Sequence, residues 1–167
     1  MEELKIILSV IDAVGSLATA IGVIIALMKF RKKLKIKGEV PLKKADAYLL
    51  TIYNNTVYDS EIECVSLFKG NPRKNGIPLN TVSFDNMKEY INPNNKNIVV
   101  GKDSRIYFPI SFQCIVSNYD VVEETVGKVF DDIYILIEDN KGNFYIHNTE
   151  RNIDYFRKLI DQVGENV

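Results

Sequence analysis

IYILIEDNKGNFYIH, residues 133–147, consists of two β-rich runs divided by Asp139-Asn140-Lys141-Gly142. The flanks favour extended backbone and the divider offers Asn and Gly for positive φ, so the stretch reads as a β-hairpin. Upstream the pattern repeats, with short alternating or β-branched runs broken by Asn, Gly, Pro and Asp. The expected strands are Leu34–Val40, Tyr48–Tyr53, Glu61–Phe68, Thr81–Phe84, Asn97–Val100, Ser104–Val116, Ile133–Glu138 and Asn143–Asn148. Asn71 to Gly76 and Asn92 to Asn95 read as loops, and the Asn-rich segment from Phe84 to Lys96 is long enough for a binding loop. Several short strands at even spacing point to an antiparallel sandwich or barrel.

Two helices interrupt the β pattern. Val122, Val126, Val129 and Phe130 share one face of a short helix that Asp120 can cap. At the end, Asn148 or Thr149 can cap a helix carrying Ile153, Phe156, Leu159, Ile160 and Val163 on one side, with Gly164 as its stop. That helix is expected to pack on the sandwich, because Asp154 and Asp161 dilute the basic character that membrane contact would use.

The N-terminal region has a different character. Ile6 to Met28 is apolar, with Asp12 its only charge, and Lys29, Arg31, Lys32, Lys33, Lys35 and Lys37 follow. At about 1.5 Å per residue such a helix reaches roughly 34 Å, enough to cross a hydrocarbon core of about 30 Å. The basic residues come after the apolar run and not before it, which fits a retained anchor better than a cleaved signal peptide. The positive-inside rule then sets the N-terminus outside the cell membrane and the C-terminal domain in the cytoplasm. Ser9, Asp12, Gly15, Ser16, Thr19, Gly22 and Ala26 recur at three- and four-residue steps along one stripe. Small residues let helices approach closely in lipid, and an intramembrane carboxylate usually faces a partner, so the stripe predicts homo-oligomerisation through the helix.

The expected organisation is therefore residues 1–33 as a transmembrane signal anchor with a basic stop, and 34–167 as one cytosolic domain. The chain as a whole is nearly neutral, with 21 Lys/Arg against 22 Asp/Glu, but the basic block is positive and Gly38 to Val167 is acidic. That segregation argues against nucleic acid as a partner. The basic collar suits membrane lipid with anionic headgroups as well as serving as a topology determinant. Cys64 and Cys114 lie on apolar stretches of a domain expected in the cytoplasm, where free, buried thiols are the usual state.

Leu49-Leu50-Thr51-Ile52-Tyr53-Asn54-Asn55 followed by Ser60 to Phe68, then Val99 to Phe108, then Ile137 to Phe144, form a succession of strand, Asn turn, strand, Gly-containing turn and closing hairpin. On those residues the chain resembles small bacterial single-pass membrane proteins with a cytosolic immunoglobulin-like β-sandwich. The resemblance implies a mainly β fold, with an N-terminal transmembrane helix followed by an immunoglobulin-like antiparallel β-sandwich and a short C-terminal helix. It implies no active site. The chain departs from antibody-type domains in having no Trp. The layout also resembles membrane-anchored β-barrel effectors of bacterial cyclic-nucleotide antiphage systems, which have two spans where this chain has one candidate.

Chemistry-bearing motifs do not emerge. His147 is the lone histidine, phosphate-binding glycine loops are absent, and Asp131-Asp132, Glu123-Glu124 and Glu138-Asp139 read as solvated surface. The expectation is a non-enzymatic, membrane-anchored module without cofactor or metal, binding an unidentified protein partner at the inner membrane face. The alternative is an oligomerising, pore-forming effector whose stripe assembles a lesion.

Overall fold

Arg105-Ile106-Tyr107-Phe108-Pro109-Ile110-Ser111 alternates without a break, and Ile106, Phe108 and Ile110 are buried while the residues between them face outward. The structure, a computed structural model, describes residues 14–24, 34–41, 46–126 and 132–164. Two compact units divide the chain, 1–33 and 34–167, and each is described by itself.

In the first unit residues 14–24 are helical (α1). No helix among the described residues is long and apolar enough to cross a membrane. The remainder of the apolar segment Ile6–Met28 lies outside the described residues.

The second unit is mainly β, with two antiparallel sheets and a short C-terminal helix, in agreement with the alternation in the sequence. Its elements run β1 (Lys35–Glu39), β2 (Ala47–Tyr53), β3 (Ser60–Lys69), β4 (Ile77–Thr81), a 3₁₀ helix (Asp85–Tyr90), β5 (Ile98–Val100), β6 (Arg105–Ser111), α2 (Phe112–Val126), β7 (Ile133–Asp139), β8 (Phe144–Asn148) and α3 (Ile153–Gly164). One sheet has the order β1-β2-β6; the other has the order β4-β3-β7-β8, with β5 also pairing β3. Leu50, Ile52, Phe108 and Ile110 from the first sheet join Ile62, Leu67, Ile135 and Ile137 from the second in a single core. Both strand prolines, Pro78 in β4 and Pro109 in β6, stand on edge strands, where a residue without an N–H leaves no ladder bond unmade.

The β7–β8 hairpin forms as expected. Gly142 takes φ of 72°, and the Asp139 carboxylate accepts the Lys141 and Asn143 N–H groups at 2.9 Å each and the Tyr145 hydroxyl at 2.9 Å. Burial, the largest single influence, pushes the Asp139 carboxyl up. The donors from Asn143, Tyr145 and Lys141 outweigh it and hold the group below its ordinary value.

Several elements differ from the sequence reading. The expected strand Ser104–Val116 ends at Ser111, where helix α2 begins. Phe112, Ile115, Val116 and Tyr119 are buried at helical spacing, but Phe112 also continues the strand alternation, and that double membership hid the switch. Asp120 is consequently inside α2 and caps nothing; it pairs with Arg157 of α3 at 2.6 Å. Arg157 also meets Glu123 at 2.8 Å, and its guanidinium and the Lys69 ammonium each lie over the Tyr119 ring, 5.7 and 4.9 Å from the centre. Strand β4 ends at Thr81, where the expected Thr81–Phe84 strand begins, and it accommodates Pro78 because it is an edge strand. Helix α3 is capped by Asn152, whose Oδ1 accepts the Tyr155 N–H at 3.2 Å, and not by Asn148 or Thr149. Its Ile153 and Phe156 are buried in the core, so it packs on the domain.

β3 carries the least predictable feature. Ile62 and Val65 are both buried although three positions separate them, because the β3–β7 register shifts between Ile62 and Cys64. The extra residue of this β-bulge reverses the inward parity of the strand.

Candidate functional site

Strand pairing collects on each sheet an outward face whose members are far apart in sequence. On the three-stranded sheet, Lys35 pairs Tyr53 and Tyr53 pairs Arg105; in the next row Lys37 pairs Thr51 and Thr51 pairs Tyr107. Lys35, Lys37, Arg105 and Tyr107 are exposed, Tyr107 by 45%. The Arg105 guanidinium lies 5.3 Å from the Tyr107 ring centre, a cation–π contact that holds the charge above the sheet. Glu39, in the row of Leu49 and Pro109, is the one acid these three strands turn outward. The result is a basic and aromatic surface on a domain that is acidic elsewhere.

Along β1 this face runs into a depression of about 380 Å³ lined by Ile36, Lys37, Gly38, Glu39, Thr51, Tyr53 and His147. His147, which lines it, shares through Nε2 a 2.8 Å hydrogen bond with the Tyr48 hydroxyl that joins β8 of one sheet to β2 of the other. Gly38 makes room for the pair, since a Cβ there would collide with both atoms. Burial pushes the Tyr48 hydroxyl up to about 12 and the His147 imidazole below its ordinary value, so both are neutral at pH 7.

The five-stranded sheet turns out a face of the opposite kind. Phe68 pairs Tyr134, which pairs Asn148; Ser66 pairs Leu136, which pairs Ile146; Cys64 pairs Glu138, which pairs Phe144. Phe68, Tyr134, Leu136, Phe144 and Ile146 lie on the side away from the core that Ile135 and Ile137 enter, and Phe144 is 52% exposed. An antiparallel sheet with one wet face ordinarily alternates apolar with polar. β7 does not: Ile133-Tyr134-Ile135-Leu136-Ile137 is apolar on both sides.

A third cluster sits at one end of the domain. The Glu61 carboxylate accepts amide N–H groups from Asn95 at 2.7 Å, Asn92 at 3.1 Å, Asn140 at 3.2 Å and Asn97 at 3.3 Å. The Asn95 bond, with those of Asn92, Asn97 and Asn140, outweighs burial and lowers the Glu61 carboxyl. Side-chain oxygens of Asn92 and Asn95 accept the Asn94 and Asn97 N–H groups, which aims their amides at Glu61. The Asn-rich segment, expected as a binding loop, thus uses Asn92 and Asn95 to tie itself to β3, on the same Glu61 carboxylate that Asn140 of the hairpin reaches.

Lys35 and Lys37, read in the sequence as part of a lipid-facing collar, stand on the basic sheet face; Lys29, Arg31, Lys32 and Lys33 lie outside the described residues. Of the stripe read as an association face, Gly15, Ser16, Thr19 and Gly22 are on α1 and exposed. The Thr19 hydroxyl donates to the Gly15 carbonyl at 2.8 Å, and no atom would meet a Cβ at Gly15 or Gly22 within 4 Å. Asp12 and Ala26 lie outside the described residues. Tyr53 and Tyr107 read in the sequence as tyrosines suited to strand packing or to recognition, whereas Arg105 and the aliphatic outward pair Leu136 and Ile146 escaped the sequence reading. Their signals were the outward phase of β6 and the unbroken apolar run of β7.

Cys64 and Cys114 are free and only partly buried, not fully buried as expected, because Cys64 is on the outward side of β3 and Cys114 on an open flank of α2. Among the described residues no three His, Cys, Asp or Glu side chains converge to hold a metal ion. The chain matches no known family, and no curated protein is similar to it in sequence.

Proposed function

We propose that this chain is a membrane-anchored, non-catalytic interaction module. The apolar segment Ile6–Met28 holds it in the cell membrane with the N-terminus outside, and residues 34–167 form an immunoglobulin-like sandwich on the cytoplasmic side that docks a protein partner. Hydropathy and the basic block support the anchor. The strand order β1-β2-β6 against β4-β3-β7-β8 supports the immunoglobulin-like reading, since it corresponds to strands A, B and E facing C, F and G with an added edge strand. Helix α2 then occupies the connection from E to F.

The observation that carries the interaction role is the outward apolar set Phe68, Tyr134, Leu136, Phe144 and Ile146. Such side chains on one outward sheet face, with Phe144 exposed and the other four partly buried, support a contact area for another protein. The test places a photo-crosslinking residue at Ile146 in the full-length protein in its own membranes, with Ser117 on α2 as the control position. A discrete protein adduct at Ile146, absent at Ser117 and lost in Leu136→Lys, is the expected result. No adduct, or equal labelling at both positions, overturns the reading.

The pore-forming alternative draws on the open surroundings of Gly15 and Gly22 on α1. It requires that induced expression be toxic and that Gly22→Ile relieve the toxicity. A harmless parent protein eliminates it.

A further inference from the structure

The basic face of the three-stranded sheet has no part in docking at the apolar sheet, and its composition is the inverse of the domain around it. Gly38 to Val167 carries more acids than bases, so its average field repels anionic surfaces. Close approach to such a surface is open only where cations outnumber acids locally. Lys35, Lys37 and Arg105 do so on two adjacent rows, with Glu39 set off in the next row.

We propose that this face, Lys35, Lys37 and Arg105 set around Tyr53 and Tyr107, binds the headgroups of anionic phospholipids. The inference rests on the anchored reading above. Three features favour a lipid surface over an acidic protein. First, the residues form a shallow plane. Lys35 and Arg105 flank Tyr53 across three strands at spacings of about 4.8 Å, and Lys37 stands about 7 Å along the strand from Lys35, which suits a carpet of phosphates better than one knob. Second, Tyr53 and Tyr107 combine a ring with a hydroxyl, the chemistry that settles at the boundary between headgroups and hydrocarbon. Third, six residues separate Met28 from Lys35, and Lys29, Arg31, Lys32 and Lys33 are among them. The basic run of the sequence thus continues into β1, whose alternation carries Lys35 and Lys37 onto one side of a sheet.

The test uses full-length protein reconstituted in nanodiscs of phosphatidylcholine alone or with about one-third phosphatidylglycerol. The rate of lysine acetylation is read residue by residue by mass spectrometry. Lys35 and Lys37 are expected to react at least about fivefold more slowly in anionic discs, the change that about one favourable charge contact per residue produces. Lys158 on α3 reacts equally in both. The protection is expected to collapse at high salt and to weaken in Arg105→Glu, whose exposed position leaves folding intact. Equal reactivity of Lys35 and Lys37 in the two disc types overturns the inference and leaves the anchor standing. Protection that appears only in native membranes assigns the face to an acidic protein and overturns it too. Failure to enter discs of either composition overturns the anchored reading and the inference with it.

Discussion

The two outward faces of this domain are built by the same strand geometry and carry opposite chemistry. On the three-stranded sheet, β6 alternates strictly, so Arg105 and Tyr107 face out while Ile106 and Phe108 face in. On the five-stranded sheet, β7 is apolar in both directions, and Leu136 faces out beside Ile135 and Ile137 facing in. A strand that is merely solvated needs one apolar side; a second apolar side contributes nothing to the core. The difference sets β7, apolar on its outward side as well as its inward one, against β6, which keeps Arg105 on its outward side.

The sharpest way to break that comparison is to truncate inward and outward leucines of neighbouring strands. Leu67, fully buried in β3, is expected to cost about 2–5 kcal/mol as Leu67→Ala. Leu136→Ala, on the outer side of β7, is expected to cost less than about 1.5 kcal/mol, because its cavity is open to solvent. Urea unfolding of the detergent-solubilised protein measures both; equal losses mean that the apolar face is already covered within the molecule. The seam between the sheets comes next. Gly38→Val drives a side chain into the Tyr48–His147 pair and is expected to cost about 1–3 kcal/mol, with the imidazole proton shifts of His147 moving as the hydrogen bond breaks.

The same pair gives the domain a pH signature. The His147 imidazole is lowered by burial from 6.5, so the unfolded chain binds the extra proton first. Stability from this residue is complete above about pH 6.5 and declines as pH falls toward the lowered folded value. Tyr48, raised from 10.0 to about 12, acts on the other flank. The unfolded phenol ionises first, so stability declines as pH rises from about 10 to about 12. A plot of melting temperature against pH is expected to be flat between the two flanks. Removal of the acid shoulder in His147→Gln assigns it to this seam; an unchanged shoulder assigns it elsewhere. Smallest of all is Lys37→Glu on the basic face, where a stability change within about 0.5 kcal/mol is expected because the side chain is exposed. A larger loss in urea unfolding would mean that the basic face is structural.

Much of the fold was legible in the chain because its causes are local. The β7–β8 hairpin follows from Asp139 to Gly142, whose turn geometry needs only its own carboxylate and one glycine. β2, β6 and α3 follow from their periodicities. The switch from β6 to α2 was not legible, since Phe112 satisfies both the strand and the helix period and only the packing of Ile115, Val116 and Tyr119 selects the helix. Nor was the bulge in β3, where the pairing of Ile62 with Asp139 and Cys64 with Glu138 leaves one residue over. The bulge decides that Val65 and Leu67 enter the core and that Ser66 and Phe68 leave it.

By itself the sequence determined the class of the molecule: an apolar segment with a basic collar at one end, and short strands at even spacing after it. It determined these because hydropathy and turn chemistry act over a few residues. Which side chains stand together was decided by the tertiary structure alone. Lys35, Tyr53 and Arg105 share a row, and so do Ser66, Leu136 and Ile146, only after hydrogen-bond register has aligned strands tens of residues apart. Register is a property of pairs of strands, and a one-residue slip exchanges every inward side chain for an outward one. The charge of one face and the apolar character of the other therefore became surfaces only when the sheets closed on their core.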